Sequence, residues 1–201
     1  MTTSLNIEIF TWIHSGAGTR PLLDGLAVFF AEGGPFILAI LFVALWFIAG
    51  NQRKIILLEA TWAAVLGLVV NQIIGLFYFH PRPYMVGLCD PLFAHGPETS
   101  FPSDHATLMF AAAFYLLFTR RSTVFGFSLL AIALFTAWGR VYSGIHFPFD
   151  MIGSLVVGSM SAWFVRFSVT PLRPLNERFI HIFNQAAGRL FGKSKRPAER
   201  L

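Results

Sequence analysis

Long apolar runs broken by short polar segments dominate the chain. Runs long enough to span a bilayer, or nearly so, cover residues 35–49, 55–79, 104–118, 124–138 and 149–167, since a spanning helix needs about 20 mainly apolar residues. A further apolar stretch, 22–30, is set apart by Glu32-Gly33-Gly34-Pro35. That breaker cluster predicts a short preceding helix, a re-entrant segment or a broken first span. The expected fold is therefore all-α, a polytopic membrane bundle of five or six transmembrane helices. Leu5, Ile9, Trp12 and Ile13 add an N-terminal helix at the outer interface. Leu175, Phe179, Ile182, Phe183, Ala186 and Leu190 recur on one helical face with basic residues elsewhere, which predicts a helix along the inner membrane surface. The chain divides into a membrane-embedded unit, 1–170, and a basic amphipathic tail, 171–201.

Composition agrees with a lipid environment: 55% of residues are hydrophobic and 12% charged, against about 25% charged in soluble domains. The net charge of +5 does not imply nucleic acid, because the basic residues cluster at the ends of apolar runs rather than along a groove-facing surface. Arg53 and Lys54 lie between the first two runs, Arg120 and Arg121 between the third and fourth, and eight more follow Phe164. The positive-inside rule makes that side cytoplasmic, so segments 80–102 and 139–148 face outward. The cluster from Lys193 to Arg200 fits topology and contact with membrane lipids. Cys89 is the single cysteine, which excludes an intrachain disulfide framework. The N-terminus lacks the basic start and apolar core of a cleavable signal peptide.

Polar residues in or beside spans are costly, and their convergence marks function. Three stretches, each at the outward end of a span, gather them: His80-Pro81-Arg82-Pro83, Pro102-Ser103-Asp104-His105, and Arg140 through His146 to Asp150. His146 and Asp150 are one helical turn apart, with Pro148 early in the next helix. A carboxylate there can accept one imidazole N–H and leave the other ring nitrogen as a nucleophile. Ser103 and His105 start a helix, where free N–H groups and the helix dipole favour a phosphate. Arg82 and Arg140 can clamp the remaining oxygens, the charge stabilisation on which phosphoryl transfer depends. His105 is free to protonate the leaving oxygen.

Arg82-Pro83, Pro102-Ser103-x-His105 and Arg140-x5-His146-x3-Asp150 resemble the three signature motifs of the type 2 phosphatidic acid phosphatase superfamily. The outer-loop wording is most similar to the bacterial undecaprenyl pyrophosphate phosphatases of the bacitracin-resistance type. The resemblance implies a helical bundle in the bacterial cytoplasmic membrane, with the site facing the periplasm or the cell exterior. His146 would become phosphorylated, His105 would be the general acid and Asp150 would orient His146. Arg82, Ser103 and Arg140 would hold phosphate, with neighbouring Asp104 in the same binding stretch. No metal or other cofactor is implied, and the implied partner is a polyprenyl pyrophosphate lipid.

Three positions depart from the family pattern. Gly75 stands where a Lys usually precedes the motif Arg, so that contact is missing or supplied elsewhere, with His80 or Asn71 as candidates. Asp104 replaces a usual Gly, and its carboxylate is expected to turn away from phosphate and cap the helix. Gly139 stands where a Ser often precedes the motif Arg. Other readings are a phosphatase for phosphatidylglycerol phosphate or phosphatidate, and a non-catalytic lipid-phosphate binding or transport protein. The His146–Asp150 pair argues against the last, because arginines and helix N-termini suffice for anion binding. The apolar spans exclude a soluble vanadate haloperoxidase. Glu59 and Asn71 read as snorkelling or bundle-packing groups, and His14, His95 and His181 take no role.

Overall fold

A computed structural model describes residues 3–120, 123–168 and 170–190. Arg121 and the basic cluster from Lys193 to Arg200 lie outside the described residues, as does the side chain of Leu190. The described chain forms α1 (Ser4–His14), α2 (Pro21–Ile48), α3 (Asn51–Phe77), α4 (Asp104–Phe118), α5 (Thr123–Tyr142), α6 (Pro148–Ser168) and α7 (Arg173–Leu190), with 3-10 turns at Pro83–Val86 and Thr170–Leu172. No strand occurs among the described residues.

Helices α2, α3, α5 and α6 are long and apolar enough to cross a membrane. Helix α4 has 15 residues, about 22 Å at 1.5 Å per residue, and it is the hub of the bundle, packed against α3, α5 and α6. Small side chains let the neighbours come close: Ala106, Ala111, Ala112 and Ala113 are fully buried. A Cβ on Gly158 of α6 would lie 2.9 Å from the Ala111 nitrogen of α4. Phe36, Phe77, Phe127 and Phe167 instead point outward. Small residues inside and large apolar ones outside is the arrangement expected where lipid is the solvent and helices associate by close packing.

The structure corrects the expected break near Pro35. α2 runs without interruption through Glu32-Gly33-Gly34-Pro35 for 28 residues, so no separate sixth span exists among the described residues. Pro35 removes one helical donor, and the carbonyl it would have served, Ala31 O, accepts from Arg140 Nη1 at 3.0 Å instead. Gly34 gives its missing side-chain volume to Thr136 of α5.

Both terminal helices brace the bundle through polar residues that hydrophobic patterning passed over. In α1, Trp12 is 77% exposed while Asn6 and Phe10 are buried. Asn6 Oδ1 accepts from Phe149 N at the start of α6, Phe10 meets the Phe147 ring edge-on, and His14 Nδ1 lies 2.8 Å from Tyr142 O. At the opposite end α7 docks on α3 through Trp62 Nε1 to Asn176 Oδ1 (3.0 Å) and Lys54 Nζ to Asn184 Oδ1 (2.9 Å). Lys54 also sits over the Trp46 and Phe183 rings. Leu175 and Ile182 of α7 remain exposed. Buried Glu59 accepts a hydrogen bond from Tyr115 of α4, a bundle-packing role.

Candidate active site

The C-terminal ends of α3 and α5 and the N-terminal ends of α4 and α6 meet at the end of the bundle opposite α7, roofed by residues 78–103. The turn from α5 into α6 reverses at Gly144, whose φ of +81° suits glycine. The whole stretch 141–147 is buried. Pro148 opens α6, and Asp150 in its first turn reaches back to accept from Phe147 N at 2.8 Å, as a capping carboxylate does. That local bond sets the carboxylate under the His146 ring, with Nδ1 3.3 Å from Asp150 Oδ2.

Ser100 completes this cluster. Its Oγ donates to Asp150 Oδ2 and lies 3.2 Å from His146 Nδ1. His80 Nδ1 is 3.3 Å from Asp150 Oδ1, close enough for electrostatic contact but poorly aligned for a hydrogen bond. Asp150 therefore lies between two histidines. His80 turns toward Asp150 and does not line the cavity described below, so it does not take the place of the missing lysine.

Arg82 ties the roof to the α5–α6 turn. Its Nε donates to Glu98 O (3.1 Å), Nη2 to Thr99 O (3.2 Å) and Nη1 to Ile145 O (3.0 Å). Nη1 also lies 3.0 Å from His146 Nε2. Arg140 is equally buried. Its Nη1 is spent on Ala31 O, Nη2 approaches His95 Nε2 at 3.4 Å, and Nε has no partner among the described residues.

A cavity of about 490 Å³ opens above these groups. Arg82, Arg140, His105, His146, His95, Asn71 and Asp104 line it. Gly75 also lines it, and a Cβ there would meet only Thr99, at 3.4 Å, so the position of the absent lysine is open space. Ser103 is fully buried and does not line the cavity. Its Oγ accepts from Ala106 N as the cap of α4, and its backbone is held by Ser154. The expected cap, Asp104, is thereby corrected: its carboxylate bridges to Asn71 Nδ2 (2.8 Å) and Gln72 Nε2 (3.2 Å) of α3. Asn71 is engaged there and with Thr107. The absent hydroxyl at Gly139 has a packing reason, since a Cβ would sit 2.5 Å from Ala27 O.

Electrostatics favour a neutral His146 imidazole. Burial pushes the His146 pKa down to about 3, with Arg140 and Arg82 adding to the shift and Asp150 opposing it. Burial also lowers His95, helped by Arg82 and Arg140. Sequence reasoning missed Ser100 and left His95 without a role. Neither obeys a helical period, and both come from the irregular roof.

A multi-pass membrane protein whose helix ends converge on a buried His–Asp pair, a second histidine and two arginines has the parts that phosphoryl transfer uses. Residues 55–173 match the model of the PAP2 superfamily, and the chain belongs to that superfamily. It is 34% identical to undecaprenyl-diphosphatase BcrC of Bacillus subtilis over 196 residues, 97% of this chain and 98% of the relative. It is 31% identical to the putative undecaprenyl-diphosphatase YbjG of Escherichia coli over 158 residues, 79% of each chain. Among solved structures, Aquifex aeolicus LpxE superposes with a TM-score of 0.68 at 26% identity, covering 82% of this chain and 96% of LpxE.

Proposed function

We propose that this protein hydrolyses undecaprenyl pyrophosphate to undecaprenyl phosphate through a phosphohistidine at His146. The observation that carries this reading is that His146 has Nδ1 held by Asp150 and Nε2 turned to the cationic cavity. The neutral Nε2 lone pair attacks the terminal phosphorus. The bond from that phosphorus to the bridging oxygen breaks, and His105 gives its proton to the departing lipid phosphate. Water then attacks the phosphohistidine with His105 taking its proton, the P–N bond breaks, and inorganic phosphate leaves. Arg82 and Arg140 stabilise the equatorial oxygens. Ser103 supports the phosphate by capping the start of α4, and Asp104 sets that helix against α3. The similarity to BcrC and YbjG supports the lipid assignment.

The membrane is the bacterial cytoplasmic membrane, with the cavity toward the exterior. Arg53, Lys54, Arg120 and Arg166 lie at the opposite end of the bundle, and α7 docks beside them, the distribution the positive-inside rule requires. Residues 1–170 form the catalytic unit, and 171–201 serve as a membrane-surface tail. Phosphate release from undecaprenyl pyrophosphate by detergent-purified protein, with EDTA present, tests the reading. Wild type releases phosphate and His146→Ala does not. Phosphatidylglycerol phosphate and phosphatidate as competitors decide the lipid. Absence of release from all three would favour a lipid-phosphate binding protein.

A further inference from the structure

In an α-helix each interior carbonyl is taken by the N–H four residues on. At Ala31 that donor would come from position 35, a proline, which has none. A carbonyl left open at membrane depth is costly, and here a side chain from another helix takes it: Arg140 Nη1 donates to Ala31 O at 3.0 Å. The reach is possible because the two backbones nearly touch. A Cβ on Gly139 would lie 2.5 Å from Ala27 O, and one on Gly34 would clash with Thr136 Oγ1. The guanidinium is thus pinned at one corner, while its buried Nε has no partner among the described residues and the side chain lines the cavity.

We propose that Pro35 is a positioning residue for substrate binding: by withholding its N–H it leaves Ala31 O as a fixed acceptor that aims Arg140 into the phosphate cavity. This rests on the reading of Arg140 as a phosphate contact. Pro35 does not line the cavity and acts only through the guanidinium. Its helical cost, borne in the first span, is offset by a charge-assisted bond that fixes a long side chain of otherwise high rotamer entropy.

Returning an N–H at position 35 tests this. Pro35→Ala and Pro35→Leu both give Ala31 O a helical donor that competes with Arg140. With undecaprenyl pyrophosphate as substrate and inorganic phosphate as inhibitor, KM and the phosphate inhibition constant are expected to rise about tenfold in both variants, the effect of one misplaced charge-assisted contact. kcat should change less, and Tm in detergent should hold or rise, because a proline has left a helix interior. In an Arg140→Ala background, Pro35→Ala should have no further effect on KM. Unchanged KM in both single variants, or the same rise with Arg140 absent, would overturn the proposal. Arg140→Ala with wild-type kcat and KM would overturn the assignment of Arg140 itself, and the proposal with it.

Discussion

Arg82 Nη1 lies 3.0 Å from His146 Nε2, so a guanidinium covers the lone pair that the proposed reaction needs. In this state the proposed nucleophile is masked. Phosphate oxygens in the cavity would offer the arginine stronger acceptors than a neutral imidazole, and in the proposed mechanism a guanidinium drawn to them leaves Nε2 free. Arg82 holds three backbone carbonyls besides, which a lysine cannot span. Arg82→Lys is expected to lower kcat/KM about 100-fold, as measured by phosphate release, with both kcat and KM affected.

Asp150 Oδ2 lies 3.3 Å from His146 Nδ1 and accepts from Phe147 N, so the carboxylate that orients the ring in the proposed mechanism also caps α6. An amide keeps the shape but can present its N–H to the ring. Asp150→Asn is expected to lower kcat by about 10² to 10⁴ with little change in KM, as for an orienting carboxylate. Ser100→Ala removes one bond to that carboxylate and should cost about tenfold in kcat. Single-turnover phosphate release would measure both.

The pKa of His146, pushed down to about 3 by burial, links stability to pH. Between the unfolded value of about 6.5 and the folded value, the unfolded chain holds a proton that the folded chain does not. Stability therefore falls as pH drops through that window. Tm in detergent should decline from about pH 6.5 to about pH 4, and less steeply in His146→Gln, which has no such group to protonate.

Gly139 sits where a Cβ would press on the α2 backbone at 2.5 Å from Ala27 O. Gly139→Ser, which restores the common family residue, is expected to destabilise the protein by about 1 to 3 kcal/mol as an overpacked contact. A lowered Tm, with KM raised because α5 carries Arg140 away from Ala31, would be the signature. The hydroxyl should not improve phosphate binding here.

The sequence by itself determined the class of fold and gathered the polar residues of the proposed site into three short stretches. Apolar runs of spanning length can only be helices in lipid. Local rules place Asp150 one turn beyond His146 and Ser103 at the start of α4, because caps and helical spacing depend on nearby residues alone. Tertiary structure decided what depends on distant partners. The breaker cluster at Pro35 reads as an interruption until Arg140, far along the chain, takes the orphaned carbonyl. Asp104 has the chemistry of a cap, but Asn71 and Gln72 on α3 claim its carboxylate. Ser100 and His95 sit in an irregular roof with no period to reveal them, and only the converging helix ends bring one to Asp150 and the other to Arg140. Spacing along a chain fixes neighbours within a turn or two, whereas contacts between helices depend on how small residues let the backbones approach.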